Sequence, residues 1–441
     1  MAGMKELATL VKELEEQLVT CIRCGMCQSV CPLFEQTRKE ADVARGKLAL
    51  LTGLMDNIFT DPDGVNERLN RCLLCGSCAA NCPSGVNVVE IFIKARAILA
   101  EYKGLSPAKK LIFRQLLANP GRFDAMVDWA GRFQGVFTKP SANAQGTSCA
   151  RLVSPLLSHR HFMPLSTTPF HKTLPEKGFT STGSGLRAAV FTGCLIDKIF
   201  PHVAAASLKV LSHHQVGVVI PPGQGCCGIP SLASGDRDSF TRLVDHNLAL
   251  FEKHDFDVLV TACATCTSTI KKLWPSVYKN PSDNMQEKLT ALSEKTMDIN
   301  QFLVDHVGIA PLDTLMEESE KEIVTYHDPC HLKKSLGVAD QPRQVITAAG
   351  CQLNEMAGAD KCCGMGGSFN IYHYDLSSTI GKIKEENIEN TGCTTVSTGC
   401  PACMMQISDM LGKAGSSIRV RHPMEIYARA LETGTLKKLS T

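Results

Sequence analysis

Eighteen of the 21 cysteines in this 441-residue chain fall into two repeated patterns, and both are thiolate sets suited to metal. The first is CxxCxxCxxxCP, which occurs as "CIRCGMCQSVCP" from Cys21 and again as "CLLCGSCAANCP" from Cys72. That spacing binds a pair of [4Fe-4S] cubanes, with three ligands from one motif and the remote fourth from the other. It assigns Cys21, Cys24, Cys27 and Cys82 to one cluster and Cys72, Cys75, Cys78 and Cys31 to the other. Structural zinc needs four sulfurs and would require neither the third cysteine step nor the trailing proline in both copies.

The second pattern reads C, CC, CxxC. Cys194 is followed after 31 residues by Cys226 and Cys227, then after 35 more by Cys263 and Cys266. Cys330 is followed after 31 residues by Cys362 and Cys363, then after 36 more by Cys400 and Cys403. A disulfide within a vicinal pair is unfavourable, because neighbouring Cα atoms sit ~3.8 Å apart and a relaxed disulfide needs ~4.4 Å. Five thiolates exceed what one zinc or one cubane uses, and soft sulfur selects iron–sulfur chemistry, so an irregular cluster with a bridging sulfur suits each set. Gly228 after the first pair, and Gly364, Gly366 and Gly367 in "CCGMGG", would let backbone approach such a cluster and donate N–H bonds to its sulfurs. "GMGGS" lacks the GxGxxG spacing of a dinucleotide loop.

Composition fits this chemistry and excludes others. A net charge of +2 and the absence of a like-charge block give no support to nucleic-acid binding. The start, "MAGMKELATLVKELEEQL", places Met4, Leu7, Leu10, Val11, Leu14 and Leu18 at helical spacing and has no signal-peptide core. No apolar run is long enough for a transmembrane helix. The expected location is cytoplasmic, peripheral on the inner face of a membrane at most, with reduced thiols.

The cysteines need elements to position them. Helices are expected at "EADVARGKLALLTGLM" and "VNVVEIFIKARAILAEY", with the turn-rich "DPDG" between, making residues 1–104 a helical ferredoxin-type domain for two clusters. Arg45 and Lys47 fall on a solvated or cluster-facing helix side. Residues 105–185 read as a helical and linker segment. It holds a helix at "AKKLIFRQLLA", then a Pro, Ser, Thr and His-rich stretch with scattered His159, His161 and His171 and a bystander Cys149. From 186 to 312 and from 313 to 441, each cysteine group ends a strand-like run: "AAVFTGC", "VGVVIPP", "DVLVTAC", "EIVTYHDPC", "CTTVSTGC". Helical stretches such as "SFTRLVDHNLALFEKH" alternate with them. The pattern is that of an α/β chain with two repeated parallel-sheet units, whose carboxyl-end loops bring each set of five cysteines together.

At these residues the sequence resembles a known family. The repeat is similar to the CCG domain of heterodisulfide reductase subunits. The whole order, two ferredoxin motifs and two CCG repeats, resembles the iron–sulfur subunits of bacterial glycolate oxidase and D-lactate dehydrogenases, with "YHDPCHL", "CCGMGG" and "TGCPAC" as matching motifs. The resemblance implies one or two noncubane [4Fe-4S] clusters at the CCG repeats, with zinc an alternative at the first.

It further implies an electron-transfer subunit of a membrane-associated 2-hydroxy-acid dehydrogenase. An FAD-containing partner oxidises glycolate or D-lactate, and this chain relays the electrons to a quinone or another carrier. No dinucleotide or flavin fingerprint occurs here, so hydride chemistry is assigned to the partner. Alternatives are a heterodisulfide reductase-type thiol/disulfide reductase and the similar subunit of anaerobic glycerol-3-phosphate dehydrogenase. In the second repeat, "HDPCHL" surrounds Cys330 where the first has "FTGCLI" around Cys194. His327, Asp328 and His331 are therefore candidates for tuning a cluster or moving protons, with Leu195 as the apolar counterpart of His331.

Overall fold

The computed structural model describes residues 4–440 except 60, 142, 144, 151–159, 184 and 313–320. His159 lies outside the described residues.

Leu7, Val11, Leu14 and Leu18 are buried in the amino-terminal helical segments, as their spacing requires. They pack with the helices Ala44–Met55 and Val88–Lys103 in the main hydrophobic core. Contrary to expectation, "DPDG" is not a turn but the start of the helix Pro62–Asn70. The Asp61 carboxylate accepts from the Asp63 N–H at 2.7 Å, and Pro62 occupies the first helical position, where a missing N–H costs nothing.

Between residues 105 and 185 the chain is more ordered than its composition suggests. The helix Pro120–Phe137 is followed by a small antiparallel sheet, order β1-β2-β3, of β1 (Thr138–Pro140), β2 (Ser148–Ala150) and β3 (His161–Phe162). Period-based reading passes over this helix because its apolar residues do not form one core-facing stripe. Val127 is buried, whereas Trp129, Phe133 and Val136 are exposed.

The first repeat forms a five-stranded sheet, order β4-β6-β5-β7-β8, from β4 (Phe179–Ser181), β5 (Arg187–Val190), β6 (Gly217–Ile220), β7 (Val258–Thr261) and β8 (Thr296–Asp298). All pairings are parallel except that of β4, which precedes residue 186 and closes one edge antiparallel to β6. The second repeat forms a four-stranded parallel sheet, order β10-β9-β11-β12, from β9 (Ile323–Tyr326), β10 (Gln352–Leu353), β11 (Thr395–Ser397) and β12 (Arg419–Arg421). Apolar β-branched runs such as "GVVI" and "VLVT" are buried throughout, as strands covered on both faces must be.

The two repeats interlock. The helix Ala264–Ser268 of the first packs against Cys330–Leu336 of the second, and the helix Pro423–Ser440 lies across Pro201–His213 of the first. His214 and Tyr427 are hydrogen-bonded across that second contact at 3.1 Å. Among the described residues no helix is long and apolar enough to cross a membrane.

Candidate metal centres

The two amino-terminal motifs fold alike. Their third residues, Arg23 and Leu74, both take positive φ (56° and 54°), a conformation uncommon outside glycine, so each CxxC turns its thiols inward. Cys31, Cys72, Cys75 and Cys78 line one space of about 440 Å3, and Cys21, Cys24, Cys27 and Cys82 line another of about 380 Å3 that Cys78 also borders. Each space thus receives three cysteines of one motif and the last cysteine of the other. Backbone N–H groups point at the sulfurs: Phe34 at Cys31 (3.5 Å) and Leu74 at Cys72 (3.4 Å). Lys47 borders the first space and Arg45 the second, so both face the thiols. Arg45 is held there by Glu40 (2.7 Å) and the Arg23 carbonyl.

In the first repeat, Cys194 lies 3.6 Å from Cys226, and Cys227 accepts hydrogen bonds from Cys226 and Cys266. In the second, Cys363 lies 3.4 Å from Cys403 and is hydrogen-bonded with it and with Cys362. The geometry of the two sets corresponds. In both, the second thiol of the vicinal pair is pushed well below its ordinary range by its neighbours' hydrogen bonds, and in the second set Cys400 is lowered too, whereas its counterpart Cys263 is raised. Cys226, Cys266, Cys330 and Cys403 are pushed well above it by the hydrogen bonds they donate to adjacent thiols and by burial. Thiols this crowded cannot all ionise unless positive charge enters among them, which is the chemistry of a metal-binding donor set.

The four sets adjoin one another in order. Cys75 packs with Cys362 in one buried cluster, and Lys334 donates to Ser77 at 2.6 Å, which joins the amino-terminal domain to the second repeat. Cys263 and Cys400 then meet across the seam between the repeats. There the Ala264 N–H donates to the Gly399 carbonyl at 2.9 Å, and the Thr265 hydroxyl lies 3.3 Å from the Cys400 sulfur.

Comparison with known proteins gives these sets a context. A model of the 4Fe-4S dicluster domain matches residues 17–86, and one of the cysteine-rich CCG domain matches twice, at 188–271 and 324–408. The chain belongs to the dicluster–CCG family of iron–sulfur proteins. It is 29% identical over 437 residues to the probable glycolate oxidase iron-sulfur subunit of Bacillus subtilis, covering 96% of each chain. It is 30% identical to an uncharacterized iron-sulfur protein of Methanocaldococcus jannaschii, covering 92% of this chain and 71% of that protein. One of the subunits of fumarate reductase (CoM/CoB) from Methanothermobacter marburgensis is 29% identical, with coverage of 94% and 73%. Among solved structures, a hypothetical protein from Helicobacter pylori matches with a TM-score of 0.51 at 10% identity, over 98% of this chain and 77% of that one, a likeness of fold.

Within this iron–sulfur frame the glycines take on a second role beside the expected approach to a cluster. Gly364 does donate its N–H to Cys362, at 3.5 Å. Yet Gly228 and Gly364, at φ of 94° and 95°, are required by protein packing. A Cβ on Gly228 would lie 2.6 Å from the Phe240 ring, and one on Gly364 would lie 2.6 Å from the Ser377 carbonyl. Gly366 lets the second repeat approach Leu73, whose Cα a Cβ would meet at 3.2 Å, while a Cβ on Gly367 would meet nothing within 4 Å. Sequence reasoning passed over Gly193. Its φ is +70°, and a Cβ there would sit 3.0 Å from the Cys266 sulfur, so the "TGC" step is glycine for space at the thiols.

The three polar candidates separate. Asp328 is clamped by Arg343 (2.7 Å) and Lys333 (3.0 Å) and holds the loop before Cys330. His327 is buried with its ring within 4.8 Å of the Cys363 and Cys403 sulfurs. Burial lowers its pKa to about 3, and neither nitrogen completes a hydrogen bond among the described residues, although the Ala359 carbonyl faces the ring. An unpaired buried polar group costs about 1–3 kcal/mol, so this ring suits an acceptor sulfur at the site. His331 Nδ1 lies 3.0 Å from the Thr265 hydroxyl that touches Cys400. Two further groups had no motif to announce them. His422 is buried with Nε2 unpaired among the described residues, at the end of β12 near Cys400. Lys384, from the helix Tyr374–Glu389, is lowered to about 8 by burial while the thiols of Cys363, Cys362 and Cys403 favour its charge.

In the intervening segment His171 Nδ1 is hydrogen-bonded with Asp197 (2.9 Å), whereas Cys149 and His161 lie 3.8 Å apart and bring no third such ligand with them among the described residues.

Proposed function

We propose that this chain is the electron-relay subunit of an oxidoreductase acting on a 2-hydroxy acid such as glycolate or D-lactate. The partner is an FAD-containing subunit that oxidises the acid to the 2-oxo acid and passes the electrons on, and a quinone or another carrier is the final acceptor. Cys21, Cys24, Cys27 and Cys82, and Cys72, Cys75, Cys78 and Cys31, are the ligands of two [4Fe-4S] cubanes. The two CCG sets hold noncubane clusters, with zinc the alternative at the first. When bound, these clusters supply one-electron carriers. The adjacency of the chain's own thiols supports one order: the amino-terminal pair, then the second repeat, then the first.

The observation that supports this reading is the adjacency of the thiol sets, with Cys75 beside Cys362 and Cys400 beside Cys263. The name of the Bacillus subtilis relative supplies the reaction class. Native, anaerobic purification with flavin and metal analysis tests it. A copurifying flavoprotein should reduce the chain on adding glycolate or D-lactate, and the chain alone should not oxidise either acid with a dye. Oxidation by the flavin-free chain would overturn the relay assignment.

A second reading, thiol/disulfide reduction, is favoured by one observation: two five-thiol sets meet at Cys263 and Cys400. The name of the Methanothermobacter relative, with its CoM/CoB designation, points the same way. Turnover of a small disulfide by the isolated, reduced chain would select it.

A further inference from the structure

The helix Pro120–Phe137 carries an unusual outward face. Trp129 is 61% exposed, Val136 65%, Phe137 58%, Phe133 48% and Met126 36%, and the spacing places these residues along one side. Soluble surfaces carry single apolar residues freely, but a row of large ones on one helix marks an interaction site. The Trp129 and Phe133 rings even pack against each other, with centroids 5.3 Å apart, so the row presents a continuous apolar ridge.

The charges of this helix are sorted. Its two acids, Asp124 and Asp128, turn inward and are bound by Lys198 (2.6 Å) and Lys172. The inner side is held further by buried Val127 and by Gln134, which donates to the Leu165 carbonyl at 2.8 Å and accepts from the Leu165 N–H at 2.9 Å. The exposed charged residues of the helix are Arg122 and Arg132, at the ridge's beginning and middle, and Lys139 follows its end. The outward side therefore combines bulky apolar and aromatic residues with cations and no carboxylate.

We propose that this face lies on an anionic lipid surface, with Trp129, Phe133 and Val136 in the interfacial layer and Arg122 and Arg132 at the headgroups. The combination is that of an in-plane amphipathic helix, for which both apolar burial and attraction to anionic lipid contribute. A helix of 18 residues laid flat extends about 27 Å, enough to seat the ridge without crossing the bilayer. A protein partner is disfavoured by the charge sorting. With Asp124 and Asp128 both bound inward, the exposed charges on this side are all cations, which complements an anionic headgroup layer. The inference deepens the relay reading, because a quinone acceptor resides in lipid, but lipid binding itself needs no electron transfer.

The test uses the full-length protein with its metal, mixed with vesicles of phosphatidylcholine alone or with about 30% phosphatidylglycerol. Flotation should recover the protein with the anionic vesicles and not with the neutral ones, and added salt should weaken recovery. The chain's two tryptophans make fluorescence specific, since Trp274 is 1% exposed. Anionic vesicles should shift emission to the blue and protect it from acrylamide. The double variant Trp129→Ser/Phe133→Ser should lose vesicle binding at least tenfold, and Arg122→Glu/Arg132→Glu should do the same. Iron content, melting temperature and reduction by the flavoprotein in solution should be unchanged in both. Failure of the wild type to float with anionic vesicles, or floating undiminished in both variants, would overturn the proposal. So would variants that lose the flavoprotein's binding instead, which would make the face a protein dock. Failure of the relay reading would show in the flavoprotein assay while the vesicle result stood.

Discussion

The two repeats share a scaffold and differ in their company. The first flanks Cys194 with Gly193, Leu195 and buried Ile196, keeps its buried charges, Asp197 and Lys198, at the far end of that short helix, and has the Cys227 carbonyl accept from the Trp274 indole at 3.0 Å. The second surrounds equivalent thiols with His327, His331, His422 and Lys384, and it meets the amino-terminal thiols through Cys362. Both keep the backbone that gathers five thiols. Polar groups collect where the site has neighbours on two sides.

The largest effect that would break this comparison comes from the thiols. Cys363→Ser should remove the second repeat's metal and isolate the first, so that the first repeat's spectroscopic signal no longer responds to the reduced flavoprotein. Cys194→Ser should lower iron content similarly and leave the second repeat reducible. Iron analysis with paramagnetic resonance after partner reduction distinguishes them. Loss of all reduction in Cys194→Ser would reverse the order.

The shared scaffold is tested next. Gly228→Ala and Gly364→Ala combine positive φ with a Cβ 2.6 Å from a neighbour, so each should destabilise by about 2–4 kcal/mol in denaturant unfolding. A large difference between them would mean the two turns are not equivalent. Gly193→Ala should perturb the first site's spectrum alone, because Pro329 stands before Cys330 in the second repeat.

A smaller effect belongs to His331. His331→Ala should keep full iron, shift the potential of one cluster and slow reoxidation by the acceptor, since the ring reaches Cys400 through Thr265. Leu195→Ala should cost packing alone. Wild-type potentials and turnover in His331→Ala would return the residue to a structural role.

The smallest concerns pH. Burial alone would raise the Asp197 pKa, but hydrogen bonds from His171 and the Lys198 charge win and hold it below the ordinary carboxylate range. The stability this adds is present above the unfolded pKa of about 3.9 and lost as pH falls through the folded value. Asp197→Asn should therefore flatten the acid limb of a stability curve while leaving thiol chemistry in place. An unchanged acid limb would show that the pair adds no net stability.

Local chemistry was legible because it is local. Cysteine spacing, β-branched runs such as "GVVI" and the amphipathic start all act within a few residues, and the strands at 187–190, 217–220, 258–261, 323–326 and 395–397 formed where such runs lie. The α/β class with its parallel sheets follows from that alternation. The helix Pro120–Phe137 escaped the same reasoning because the rule assumes apolar residues face a core, and here the largest face outward. "DPDG" misled because proline and aspartate serve turns and helix starts alike, and which one results depends on whether the following residues find a core, as Val65 and Leu69 do.

By itself, then, the sequence determined the kinds of thiol set, their number and the strands that end at them, since each rests on covalent spacing and short-range propensity. Tertiary structure decided which sets touch. Cys75 reaches Cys362, Cys400 reaches Cys263, and His422 and Lys384 arrive from elements outside any motif. Those neighbours are set by how two sheets and their covering helices bury apolar surface against one another. That packing is a property of the whole chain, and no spacing rule records it.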